Sequence, residues 1–276
     1  MTNYTVNTLE LGEFITESGE TINHLRLRYE HVGLPGQPLV VVCHALTGNH
    51  LTYGTDAQPG WWREIIDGGY IPVHDYQFLT FNVIGSPFGS SSKLNDDNFP
   101  EHLTLRDIVR AIELGIQALE FKKINILIGG SLGGMQAMEL LYNRQFEEEK
   151  AIILAATDKT SSYSRAFNEI ARQAIHIGGK EGLSIARQLG FLTYRSSKSY
   201  DQRFTPDEVV SYQQHQGDKF KEYFDLNCYL TLLDVLDSHH LDRGRDDVDE
   251  VFQSLETKVL TTVSYTHLTL PTKRIV

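Results

Sequence analysis

Residues 129–133 read Gly-Gly-Ser-Leu-Gly, with a further glycine at 134, between the strand-like run INILI at 124–128 and a helical stretch at 132–142. A serine that must project from a sharp strand-to-helix turn needs neighbours without bulk. The glycines two before and two after Ser131 meet that need. The helix that follows points its first amides at the serine, which places the Leu132 N–H to hold a developing oxyanion. The five-residue pattern is weak by itself; the strand before it and the helix after it make it specific. The competing reading is a glycine-rich turn that merely packs closely or cradles a phosphate. This turn carries neither the G-x-G-x-x-G spacing nor a P-loop lysine.

The flanking sequence predicts the sheet that such a turn requires. PLVVVC at 38–43 is a continuous apolar run of strand length, suited to a strand covered on both faces, and QFLTFNV at 77–83 is a second buried-strand candidate. AIILA at 151–155 is a third. Between them, residues 105–121 carry Ile108, Ile112, Ile116 and Leu119 on one helical face, and Thr104 with Asp107 fits a capping box. Strand, helix, strand, helix, strand predicts an α/β fold with a mostly parallel sheet and flanking crossover helices. His44-Ala45-Leu46-Thr47-Gly48 follows PLVVVC directly and offers the Leu46 amide as a second oxyanion donor. His44 itself precedes the nucleophile, so it reads as a hydrogen-bonded structural histidine.

From 161 to about 252 the chain is polar, helical in period and free of buried-strand runs, with helices expected at 170–177, 183–189, 207–217 and 219–236. TKVLTTV at 257–263 then resumes a strand. The predicted organisation is a first core part at 1–157, a helical lid at 158–252, the start of a second core part at 253–262 and a non-native tail at 263–276.

A net charge of -11 argues against nucleic acid or an anionic membrane as partner. Two cysteines, Cys43 and Cys228, make neither a disulfide framework nor a metal site, which points to a reducing, cytoplasmic setting and no bound metal. Residues 1–20 lack a basic segment followed by an apolar one, and no run approaches the roughly 18 apolar residues of a membrane helix.

Four motifs in order, HALTGNH, FNVIGSPFGSSS, GGSLGGMQAMEL and ARQLGFLTYRS, resemble the homoserine O-acetyltransferase family of α/β hydrolases, over about residues 7–260. The resemblance implies an α/β-hydrolase core with an inserted helical lid, a homodimer, and acyl transfer from acyl-coenzyme A to the hydroxyl of L-homoserine in methionine biosynthesis. Relatives use acetyl or succinyl donors; acetyl-CoA is the donor expected here, as a co-substrate and not a tightly held cofactor. By the same resemblance Ser131 carries the acyl group, Leu46 and Leu132 supply oxyanion amides, and Arg187 and Tyr194 meet the amino-acid substrate. A planar guanidinium fork suits a carboxylate; the alternative for Arg187 is a solvated helix residue paired with nearby acids. Ser86 departs from the glycine and cysteine many relatives carry in that loop; the loop reads equally as part of the acyl-donor entrance or as a surface loop of turn formers.

A serine hydroxyl needs a base, and the base needs an orienting carboxylate. The family places its aspartate just after the strand that 258–262 resembles, and its histidine later, in a Gly-His-Asp motif. The sequence after Leu260 reads TTVSYTHLTLPTKRIV, with His267 as its one histidine and no acid. Asp246, Asp247, Asp249 and Glu250 read as a solvated run, and His239 and His240 as lid-packing histidines. Little turnover is therefore expected of the chain as written. Two other functions remain open at this point: a serine esterase on the same fold, or a non-catalytic remnant that binds ligand.

Overall fold

The computed structural model describes residues 3–194 and 196–262. In chain order the elements are β1 (Tyr4–Glu10), β2 (Phe14–Ile15), β3 (Thr21–Ile22), β4 (Arg26–Val32), β5 (Leu39–Cys43), α1 (Arg63–Asp67), β6 (Gln77–Phe81), α2 (Leu105–Ala118), β7 (Lys123–Gly130), α3 (Leu132–Asn143), β8 (Glu147–Leu154), α4 (Ser162–Gly178), α5 (Lys180–Thr193), α6 (Ser197–Arg203), α7 (Pro206–Tyr223), α8 (Leu226–Ser238), α9 (Val248–Gln253) and β9 (Lys258–Thr262). Seven strands form one sheet in the order β1-β4-β6-β5-β7-β8-β9. The pairs β1–β4 and β4–β6 are antiparallel, and every pair from β6 to β9 is parallel. The expected α/β architecture is the one found. The reading of residues 263–276 as a non-native tail falls outside the described residues.

The segments at 38–43 and 77–83 become adjacent central strands, β5 and β6. Every residue of β5 and of β6 is buried, as a strand covered on both faces requires. On one face α2 and α3 cover the sheet, with Ile108, Ile112, Ile116, Ala137 and Leu141 all within 2% of full burial. Each such aliphatic side chain contributes roughly 1.5–3 kcal/mol when taken out of water. The capping box at α2 is present: Thr104 accepts from the Asp107 N–H, and the Asp107 carboxylate accepts from the Thr104 N–H at 3.0 Å.

Between β8 and β9 the chain leaves the sheet for α4 to α8. Two helices predicted with a break near residue 218 are divided elsewhere. α7 runs straight through Gly217, and the break falls at Phe224 and Asp225, whose carboxylate caps α8 through the Cys228 N–H at 2.9 Å. Gly217 is a crossing point instead of a terminator: a Cβ there would meet Gln188 Nε2 at 2.9 Å and overlap Ser184. α6 is a further helix that the period did not reveal. The return segment is tied to the core by Arg106, which donates to the carbonyls of Leu241 and Arg243, and by Arg245, 2.8 Å from the buried Glu139 of α3.

Glu148 on β8 is 9% exposed, and its Oε1 has no partner among the described residues. Burial, aided by the nearby Glu113 carboxylate, pushes its pKa up to about 7. The neutral form is thus the one the fold prefers. Its contribution is intact below the ordinary value of 4.5 and declines as pH rises from there to about 7. After discounting for partial solvent screening, the loss is about 2 kcal/mol. Glu148→Gln is expected to raise stability by that amount at pH 8 and leave it little changed at pH 4.5. Urea denaturation of both proteins at the two pH values checks this, and equal gains at both would refute it.

Candidate active site

Ser131 sits between the last residue of β7 and the first of α3 with φ 54° and ψ -123°. That left-handed conformation costs a serine of order 1–3 kcal/mol and persists because its surroundings dictate it. The Ser131 N–H donates to the Leu154 carbonyl at 2.9 Å, tying the turn to the end of β8. A Cβ on Gly133 would land on the Cys43 carbonyl oxygen, and one on Gly129 on the Gly133 carbonyl. A Cβ on Gly134 would lie 2.6 Å from that of Ala156. Gly130 faces nothing closer than 3.7 Å, so two of the motif's glycines and the one after them are dictated by contact, while this one is not. Ser131 is exposed, whereas the ten residues after it are buried.

The turn at 44–48 lies against the start of α3, because Gly133 lets the Cys43 and His44 carbonyls approach. Leu46 and Leu132 both sit there, and neither backbone N–H has a hydrogen-bond partner among the described residues. His44 is fully buried. Its Nε2 accepts from the Val83 N–H at 3.0 Å, so Nδ1 carries the proton and donates to the Ala45 carbonyl at 2.8 Å. Burial pushes its pKa down to about 4, so it is a neutral structural histidine, as expected.

Arg187 projects from the middle of α5 onto the same turn. Its Nη1 donates to Thr47 Oγ1 at 3.2 Å, and its guanidinium lies 4.5 Å from the Phe191 ring centre and 4.7 Å from that of Phe220. No carboxylate pairs with it among the described residues, so the picture of a solvated arginine among acids does not hold. A half-buried cation between two aromatic faces, with one polar contact, is a ready receptor for an anion. Tyr194 ends α5 next to Phe191, with ring centres 6.0 Å apart. It leaves 51% of its surface open. Its hydroxyl folds back over Gly190 and is enclosed enough that burial pushes its pKa up, against the pull of Arg187. Ser131, Leu46, Leu132 and Arg187 therefore converge on one turn, and Tyr194 adjoins Arg187.

Ser86 lies in a loop that is buried, not superficial. Ser86, Ser90, Ser91 and Ser92 are all fully buried, and Ser90 and Ser91 accept from the Arg28 and Arg26 amides of β4. Four residues in or near the site had no role assigned from the sequence: Thr47, Gln136, Phe220 and Tyr229. Gln136 carried a signal, being a polar residue among the apolar Met135, Ala137 and Met138 of a short helix; the aromatics carried none. No imidazole or carboxylate hydrogen-bonds to Ser131 among the described residues. His239 is buried with its ring nitrogen on the Thr157 carbonyl at 2.7 Å, in keeping with a packing histidine. Among the described residues there is also no group of three or more side chains suited to a metal, and no helix long and apolar enough to cross a membrane.

The family model described as the alpha/beta hydrolase fold matches residues 38–177. The homoserine O-acetyltransferase of Moorella thermoacetica is 32% identical over 86% of this chain and 75% of its own length. A crystal structure of homoserine O-acetyltransferase from Staphylococcus aureus is 85% identical, with a TM-score of 0.92 over 94% of this chain and 79% of that one. An acetylester hydrolase from Corynebacterium glutamicum shares the fold, at a TM-score of 0.78 and 19% identity over 93% of this chain and 79% of that one. On the strength of these likenesses, the chain belongs to the homoserine O-acetyltransferase family.

Proposed function

We propose that this site moves an acetyl group from acetyl-CoA to the hydroxyl of L-homoserine by way of Ser131. The Ser131 oxygen attacks the thioester carbonyl, an Oγ–C bond forms, the C–S bond breaks, and coenzyme A leaves as the thiol. The homoserine hydroxyl then attacks the acyl-serine, the Oγ–C bond breaks, and Ser131 recovers its proton. In each half the oxyanion is held by the Leu46 and Leu132 amides. Arg187 grips the acceptor carboxylate with two parallel N–H donors, and Tyr194 closes the acceptor site beside it. Acetyl-CoA enters as a co-substrate. On this reading residues 158–252 are the lid and 1–157 with 253–262 the core.

One observation carries the choice of an amino-acid acceptor over water: Arg187, without an acidic partner among the described residues, lies against the turn that presents Leu46. An esterase needs no such receptor. L-homoserine is therefore expected to bind the 276-residue polypeptide, and Arg187→Gln to weaken binding roughly ten- to hundredfold, the range for losing a charged hydrogen-bonded pair. Ser131→Ala is expected to leave it unchanged. Calorimetric titration measures all three; equal affinity in the Arg187→Gln protein would return the esterase reading.

A homodimer belongs to the same proposal. Tyr163, Ile170 and Ile177 repeat every seven residues along α4 and are 50%, 54% and 89% exposed, an apolar stripe fit for a second copy. Sedimentation is expected to give the dimer mass, and a monomer at micromolar concentration would end the idea.

A further inference from the structure

We propose that His44 is a positioning residue whose ring, with Gln136 holding the main chain beside it, sets the direction of the Leu46 N–H. The inference rests on the reading of Leu46 as an oxyanion donor and adds what aims it. The Ala45 carbonyl and the Leu46 N–H belong to one peptide unit, and no peptide bond in the described chain is cis. In a trans unit the two groups point in opposite directions in one plane. Whatever fixes the carbonyl therefore fixes the N–H.

The Ala45 carbonyl is held twice. His44 Nδ1–H donates to it at 2.8 Å and the Gly48 N–H at 2.9 Å. The imidazole is itself immobilised, because its other nitrogen accepts from the Val83 N–H at the end of β6. One ring thus carries the geometry of the sheet to the peptide that must be aimed. Gly48 leaves room for the ring, since a Cβ there would approach His44 Cβ to 3.0 Å and Nδ1 to 3.2 Å, a tight contact.

The preceding peptide is clamped from the other side. Gln136, fully buried on α3, donates from Nε2 to the His44 carbonyl at 3.1 Å, across 92 residues of chain. The helix that begins at Ser131 therefore holds the turn that carries Leu46. Nucleophile and oxyanion donor share one rigid frame, and neither His44 nor Gln136 touches the substrate. The tautomer is what makes the arrangement work: a protonated ring would set two N–H groups against each other at Val83. Burial keeps it neutral.

The direction of an N–H is readable without turnover. In the 276-residue polypeptide labelled with 15N-leucine and weakly aligned, the one-bond N–H dipolar coupling of Leu46 reports its orientation. His44→Leu is expected to cut that coupling by about half or more through local averaging, while the couplings of Leu39, Leu127 and Leu132 keep their values. His44→Asn, which keeps a donor near the Nδ1 position, is expected to restore it. Gln136→Met keeps the side chain's length without its donor; it is expected to give the same selective loss, and it serves where His44→Leu does not fold. An unchanged Leu46 coupling in the folded variants would overturn the proposal, as would a loss shared by all leucines. The oxyanion role is read separately, from the shift of the same resonance when a boronic acid caps Ser131. No shift there would sink that role and leave the brace standing.

Discussion

Acetyl-CoA turnover by the 276-residue polypeptide is expected to be at least about 10⁴-fold slower than by the 85% identical Staphylococcus aureus protein, with homoserine binding retained. The nucleophile turn is complete and strained into position. Among the described residues no imidazole or carboxylate hydrogen-bonds to Ser131, and residues 263–276 contain His267 and no acid. Removal of a triad base costs serine enzymes four to six orders of magnitude, and what survives comes from the oxyanion hole and binding. The measurement is thiol release from acetyl-CoA with and without L-homoserine, the two proteins side by side at equal concentration. Turnover within a hundredfold of the homologue would mean that another residue of the polypeptide acts as the base.

Gly133→Ala is expected to cost at least about 3 kcal/mol, at or beyond the usual range for an overpacked core. The added carbon would coincide with a main-chain oxygen, that of Cys43, and main chain in a central strand has nowhere to retreat. Relief requires α3 to lift from β5, which would separate Ser131 from the 44–48 turn and break the Gln136 contact with His44. Gly130→Ala is the control, with its nearest neighbour at 3.7 Å, and is expected to stay within about 1 kcal/mol. Chemical denaturation of the two variants separates them. Similar midpoints would show that the glycines serve backbone freedom and not close approach.

The sheet and the nucleophile turn were legible because they rest on short-range signals. An uninterrupted apolar run marked β5, a Thr-x-x-Asp spacing marked the start of α2, and the order of glycines around a serine marked the turn. The lid was less legible for a physical reason. Its helices pack on one another through small residues, so Gly217 resembled a stop when it was a contact with α5. The site itself was half visible. Ser131 and Leu46 could be placed from local pattern, but Arg187 depended on family resemblance, since nothing within α5 says that its guanidinium crosses 140 residues of chain to Thr47. The surface alternative for the serine loop fails for the opposite reason: polar residues that satisfy β4 amides look like surface when their partners are far away in sequence.

The insertion of α4 to α8 sets an order of assembly. All strands from β4 to β8, together with Ser131, the 44–48 turn and Gln136, lie within residues 26–154, whereas β9 must find β8 from about a hundred residues away. Closing a loop of that length costs roughly 4 kcal/mol of chain entropy, set against a ladder of five residue pairs whose β9 side chains are all exposed. Among the described strands, β9 is therefore the one whose pairing depends on the longest excursion of the chain. The unit that aims the nucleophile forms without waiting for that strand, and it outlasts the fraying of β9.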